Sequence, residues 1–220
     1  MGAMTARRSF LARFGAAAAA FGLGSAAHAE AAPAAQHSPD ARWQPARDQK
    51  DDWYDRIPGK HRLFFDAVSS EGVAGAIHFA DNFFAANKAE YGLETAELAV
   101  VICLRHGATP FAFTDAIWAK YGAAISESRK LTDPKTGQTP VVNLYRAGLE
   151  SHVKRGVHYA VCDTSSHHLA EALARKVGGD AEAIYKEMAA NAVANAHFVS
   201  AGIVAVNRAQ ERGYAIAYAG

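Results

Sequence analysis

The chain has 220 residues, half of them apolar, 20% charged and 18 of them glycine, which is a globular composition and not a disordered, collagenous or disulfide-scaffold one. Its 23 lysines and arginines against 22 aspartates and glutamates leave a formal charge of +1, so nothing supports a nucleic-acid footprint or a polybasic membrane surface. Two cysteines are too few for a disulfide framework or a four-thiolate zinc site.

Residues 1–29 read as an export signal. Ala6-Arg7-Arg8-Ser9-Phe10-Leu11 carries paired arginines, Phe14 to Ala27 is an Ala/Gly-rich apolar stretch, and Ala27-His28-Ala29 supplies a small-x-small cleavage pattern before Glu30. The stretch is shorter than the roughly 20 residues of a spanning helix, so no stable membrane anchor is expected. The pattern resembles a twin-arginine signal, with Ala6 and Ala12 at two positions where that type carries other residues. A general secretory signal is the alternative, and either route implies a periplasmic protein. The signal holds three arginines and no acid, so the remaining chain has 20 cationic and 22 anionic groups and is slightly acidic.

Residues 30–60 read as a flexible arm, because Ala, Pro, Gln and charged residues dominate without apolar periodicity. Trp43, Trp53 and Tyr54 stand out in it. They either clamp the arm onto the domain or a neighbouring subunit, or rim a pocket.

Over 61–220 short apolar runs alternate with helical patterns, the signature of parallel strands linked by crossover helices. Strands are expected at Arg62 to Ala67, Leu98 to Leu104, Val157 to Cys162, Ala196 to Val199 and Tyr214 to Ala219. The second lacks polar alternation, as a central strand covered on both faces would. Val73, Ile77, Ala80, Phe84 and Tyr91 recur at helical spacing and place a helix over Gly72 to Tyr91. Gly92, Gly156 and Gly213 each sit where a helix exit needs a left-handed cap. Gly122 to Pro140, polar and holding Pro134 and Gly137, reads as a long connection: a lid, an oligomer arm or a loose excursion. The class is α/β, a single-domain three-layer sandwich around a mostly parallel five-stranded sheet in flavodoxin-like order.

Ligands of such sheets bind beyond the carboxyl ends of the strands. The second strand ends in Leu104-Arg105-His106-Gly107-Ala108-Thr109-Pro110, where Thr109 and Pro110 suit a helix start. There Arg105 would attract an anion and His106 would move a proton, against simple loop hydrogen bonding. The third strand ends in Cys162-Asp163-Thr164-Ser165-Ser166, where a helix N-terminus can stabilise a thiolate. The alternative is a buried cysteine used as a small hydrophobe. Cys103, inside the apolar second strand, reads as core. A Cys103–Cys162 disulfide is not expected, since flavodoxin-like order puts strand one between strands two and three.

Ten histidines make no metal motif, and there is no G-x-G-x-x-G, G-x-x-x-x-G-K-[ST] or G-x-S-x-G. No cofactor and no metal is expected. His78 and Asn82 share a helix face, and His167 and His168 take surface or capping roles.

Leu98 to Phe113, Gly156-Val157-His158-Tyr159-Ala160-Val161-Cys162 and Ala209-Gln210-Glu211-Arg212-Gly213-Tyr214 resemble the DsrE/DsrF-like family, over roughly His61 to Gly220, and more closely its exported branch with a twin-arginine signal. The resemblance implies a DsrE-like fold, assembly as a homotrimer or homohexamer, and a persulfide on the cysteine at a strand end, here Cys162. It thus implies a periplasmic sulfur-carrier or sulfur-binding protein whose donor is a small anionic sulfur compound. The alternative is a non-catalytic homo-oligomeric ligand-binding or scaffold protein. Phe111, Phe113, Trp118 and the aromatic arm also suggest more apolar surface than one domain covers alone.

Overall fold

The computed structural model describes residues 44–220; residues 1–29, expected to be an export signal, and Trp43 lie outside the described residues. In chain order the elements are α1 (Trp53–Arg56), β1 (His61–Ala67), α2 (Ser70–Tyr91), β2 (Leu98–Leu104), α3 (Asp115–Arg129), α4 (Arg146–Lys154), β3 (His158–Cys162), α5 (Asp163–Val177), α6 (Ala181–Ala190), β4 (Ala196–Val199), α7 (Gly202–Glu211) and β5 (Ala215–Ala219). The five strands form one all-parallel sheet in the order β4-β3-β2-β1-β5.

Local chemistry explains the boundaries. Ser69 caps α2 by accepting from the Gly72 N–H (2.9 Å), and Gly92 ends it in the left-handed conformation at φ 66°. The other two expected glycine exits, Gly156 and Gly213, also have positive φ. All seven residues of β2 are buried, as its unbroken apolar run requires of a central strand.

Connectivity divides the helices between the two sheet faces. From β1 to β4 each connection moves one strand along the sheet, so right-handed crossovers keep the intervening helices on one face. The step from β4 to β5 returns to the opposite edge and carries α7 to the other face. The packing agrees: Phe65, Val100, Ile102 and Val161 join residues of α2 to α6 in one core cluster. Phe64, Val101, Cys103 and Ala160 join Tyr54 and Ile57 with Ala205 and Ala209 of α7 in the second.

The three-layer α/β sandwich is the expected one, but its strand order differs from the flavodoxin-like arrangement in one respect. Strand β2, and not β1, lies between its neighbours β1 and β3, because the first three connections all step the same way. Cys103 and Cys162 therefore lie on adjacent strands. The register pairs Cys103 with Ala160, two residues short of Cys162. An offset of about 6.6 Å along the strands and about 4.8 Å across them separates the α-carbons by about 8 Å, beyond disulfide reach. Both thiols are free.

Two further expectations are corrected. The segment 122–140 is not one long loop, since α3 runs to Arg129 with Tyr121, Ala124 and Ile125 buried along it. A glycine suits position 122 of this helix because the chain returns against it: a Cβ there would lie 3.0 Å from Val141 Cα. Thr109 and Pro110 open no α-helix; they lie in a 3-10 segment, His106–Ala112, and α3 starts after Thr114. In addition Phe111, Phe113 and Trp118 are fully buried, so they contribute no surplus apolar surface.

The core reaches upstream of residue 61. Tyr54 is fully buried, its hydroxyl donating to the Ala205 carbonyl (3.2 Å). Trp53 stacks on Tyr54 (3.7 Å between ring centres) and on His197 (4.0 Å, 8° between planes). Both aromatics therefore clamp their segment onto the sheet. His197 in turn shares a 2.8 Å hydrogen bond with His158 on the neighbouring strand. Burial lowers the pKa of His158, and burial followed by the His158 charge lowers that of His197 to about 4. Both rings are thus neutral near pH 7, as a bond with one nitrogen donating and one accepting requires.

A candidate thiol site at the carboxyl end of the sheet

Strands β3 and β4 are neighbours whose following helices, α5 and α7, lie on opposite faces. That is a switch point of the sheet, where the two connections diverge to opposite faces at the carboxyl ends. Cys162 is the last residue of β3 and the N-cap of the 15-residue α5, and no side chain caps the helix start. Its extended backbone (φ −69°, ψ 108°) places the thiol beside the first turn of that helix.

Hydrogen bonds anchor this turn to its surroundings. Thr164 donates both its N–H (3.3 Å) and its hydroxyl (2.7 Å) to the Ser200 carbonyl, which ties α5 to the end of β4. Ser166 donates to the Cys162 carbonyl (3.0 Å). No side chain caps the start of α5, and its positive end favours an anion at Cys162.

Asp163, adjacent in sequence, would oppose a thiolate if its carboxylate faced the sulfur. Instead it is drawn toward α6, accepting the Tyr185 hydroxyl proton at 2.5 Å, with His167 Nε2 3.8 Å away. His167 stacks on Tyr185 at 3.7 Å. Burial, followed by the bond to Asp163, pushes the Tyr185 hydroxyl up to about 12, so it stays protonated and holds the carboxylate in place. Sequence periodicity gave no sign of this trio, because its members lie on two helices.

The two thiols differ. Cys103 is fully buried beneath Gly202, and burial, then the nearby Asp66, pushes its pKa well above the ordinary value. Cys162 is 5% exposed. A reagent reaching it must be small.

Arg105 and His106 lie beside this turn, since the His106 N–H donates to Ser165 Oγ (3.3 Å). Their side chains behave differently from the sequence expectation. Arg105 turns onto Asp66 at the end of β1, Nε to Oδ1 at 2.6 Å and Nη2 to Oδ2 at 2.8 Å, so its charge is matched within the protein. Gly202 packs against its stem: a Cβ there would lie 2.4 Å from Arg105 Cδ. His106 is exposed with φ 50°, and its ring makes no hydrogen bond to a described residue. Asp66 was missed because an acid inside an apolar strand shows no partner in sequence.

A cavity of about 490 Å³ lies elsewhere. It is lined by Thr114, Asp115, Asn143, Arg146 and Glu150, with Val193 leading into the start of β4, so it opens near the amino-terminal end of the sheet. Two of the charges in its lining are paired, Arg146 to Asp115 at 2.5 Å. Among the described residues no three His, Cys, Asp or Glu side chains are grouped to hold a metal ion. No helix among them is long and apolar enough to cross a membrane.

No protein-family model matches the chain, and no curated protein matches it either. Among solved structures it is similar to a protein of unknown function, MTH1491, from Methanobacterium thermoautotrophicum, with 14% identity, a TM-score of 0.43, and coverage of 72% of this chain and 99% of that one.

Proposed function

We propose that the chain is an exported sulfur-carrier protein of the DsrE/DsrF-like kind, in which Cys162 takes up a sulfane sulfur as a persulfide. The reading is carried by one observation: Cys162 ends β3 as the N-cap of α5, with the adjacent carboxylate of Asp163 held away by Tyr185. A thiolate there lies at the positive end of a 15-residue helix.

The reaction is a displacement at sulfur. The Cys162 thiolate attacks the outer sulfur of a small persulfide or polysulfide, a new S–S bond forms at Cys162, the donor's own S–S bond breaks, and the donor leaves as a thiolate. No electrons are exchanged with a third partner, and the thiol proton passes to water. The product is an anion, favoured by the same helix end as the thiolate. Low exposure favours linear inorganic polysulfides over bulky donors.

Differential alkylation tests the premise. Native protein treated with iodoacetamide should be labelled at Cys162 well before Cys103. Labelling of Cys103 first, or of neither thiol before unfolding, overturns the sulfur-carrier reading and leaves a ligand-binding protein of the same fold.

A further inference from the structure

Among the described residues Arg129, unlike Arg105, is a cation without a counter-charge at the carboxyl end of the sheet. It closes α3, and its Nε is buried with no hydrogen-bond partner among the described residues. Such orphaned donors are rare in folded proteins and call for an acceptor. The carboxylate two residues away does not supply it, because Glu127 is bonded to Lys176 at 2.5 Å. Lys130 follows in the left-handed conformation (φ 54°) and forms no ion pair with a described residue.

Both cations line a cavity of about 340 Å³ together with Ser69, Ser70, Glu71 and Gly107. Its opposite wall is the start of the 22-residue α2, whose Ser70 and Glu71 N–H groups have no partner within the helix. Gly107 closes the side: its N–H donates to the Val68 carbonyl (2.8 Å), and a Cβ would lie 2.9 Å from that oxygen. Ser69 and Ser70 add hydroxyls. Glu71 is exposed, one carboxylate against two cations.

We propose that this cavity binds the tetrahedral oxyanion group, phosphate or sulfate, of a small ligand, with the Arg129 guanidinium as its principal donor. A guanidinium fork matches two oxygens of such a group, while serine hydroxyls and helix N–H groups suit the others. The site is independent of Cys162 chemistry and stands whether or not that thiol carries sulfur.

The test is titration of the full ¹⁵N-labelled chain with inorganic phosphate, and separately with inorganic sulfate, at ionic strength held constant with chloride. The Ser70, Glu71, Gly107 and Lys130 amides and the Arg129 Nε–H should move and saturate; comparing the two probes shows which oxyanion is preferred. Arg129→Gln should weaken binding roughly 10- to 100-fold, as loss of a charged hydrogen bond implies. Arg129→Lys, which keeps the charge and loses the fork, should fall between. The exposed Lys130→Ala, which leaves the fold alone, should weaken it severalfold and serves if Arg129→Gln does not fold. Shifts that do not saturate, that chloride reproduces, or that survive both Arg129→Gln and Lys130→Ala unchanged overturn the proposal.

Discussion

Asp66→Ala should lower the unfolding free energy by about 3 kcal/mol, since it strips the counter-charge from a guanidinium that folding has largely removed from water. The side chains of Asp66 and Arg105 are 8% and 14% exposed, and two hydrogen bonds join them. Arg105 has little room to turn outward, because its stem lies against Gly202. The double variant Asp66→Ala/Arg105→Met should recover most of the loss, as replacing a buried pair by apolar groups is often near neutral. Urea unfolding of the two singles and the double closes the cycle. If Asp66→Ala costs less than about 1 kcal/mol, the pair behaves as an exposed one and the rigidity assigned to this corner is wrong.

Tyr54→Ala should cost about as much or more, roughly 3–5 kcal/mol, the range for deleting a buried aromatic ring. Tyr54 is fully buried, stacked on Trp53, and meets the Tyr214 ring at 5.6 Å. Its carbonyl accepts from the Tyr214 hydroxyl (3.0 Å) and from Arg62 (3.0 Å). Tyr54→Phe separates the ring from its hydroxyl: losing only the bond to the Ala205 carbonyl should cost about 1 kcal/mol. Near-neutral Tyr54→Ala would mean that α1 is not part of the folded domain.

Much of the fold is legible in the sequence because it is written in local periodicity. Seven unbroken apolar residues at 98–104 required burial on both faces, and they form the middle strand. Gly92, Gly156 and Gly213 marked helix exits because only a residue lacking Cβ takes positive φ without cost. Strand order was less legible, since it depends on which way each crossover steps and no single segment records that. The end of α3 was hidden by composition: Gly122, Ser126 and Ser128 look like loop, while the backbone of Val141 makes glycine fit a helix there.

For the candidate site, position was readable and partnership was not. Cys162 stands at the strand-to-helix junction expected from its neighbours. Arg105 stands at the expected strand end, yet Asp66, 39 residues upstream, takes its charge. Arg129 was overlooked for the converse reason, lying in a stretch that read as loop and bearing a charge no described carboxylate takes. Long-range pairing decides which cations remain available to a ligand.

The central claim, that Cys162 accepts sulfur, is tested most directly by intact-mass and peptide mass spectrometry of the protein after treatment with inorganic polysulfide. Cys162 should gain one sulfur atom, removable by a thiol reductant, while Cys103 stays unmodified and Cys162→Ser gains none. Sulfur found on Cys103, or no sulfur uptake by folded protein whose Cys162 still alkylates, would contradict the account.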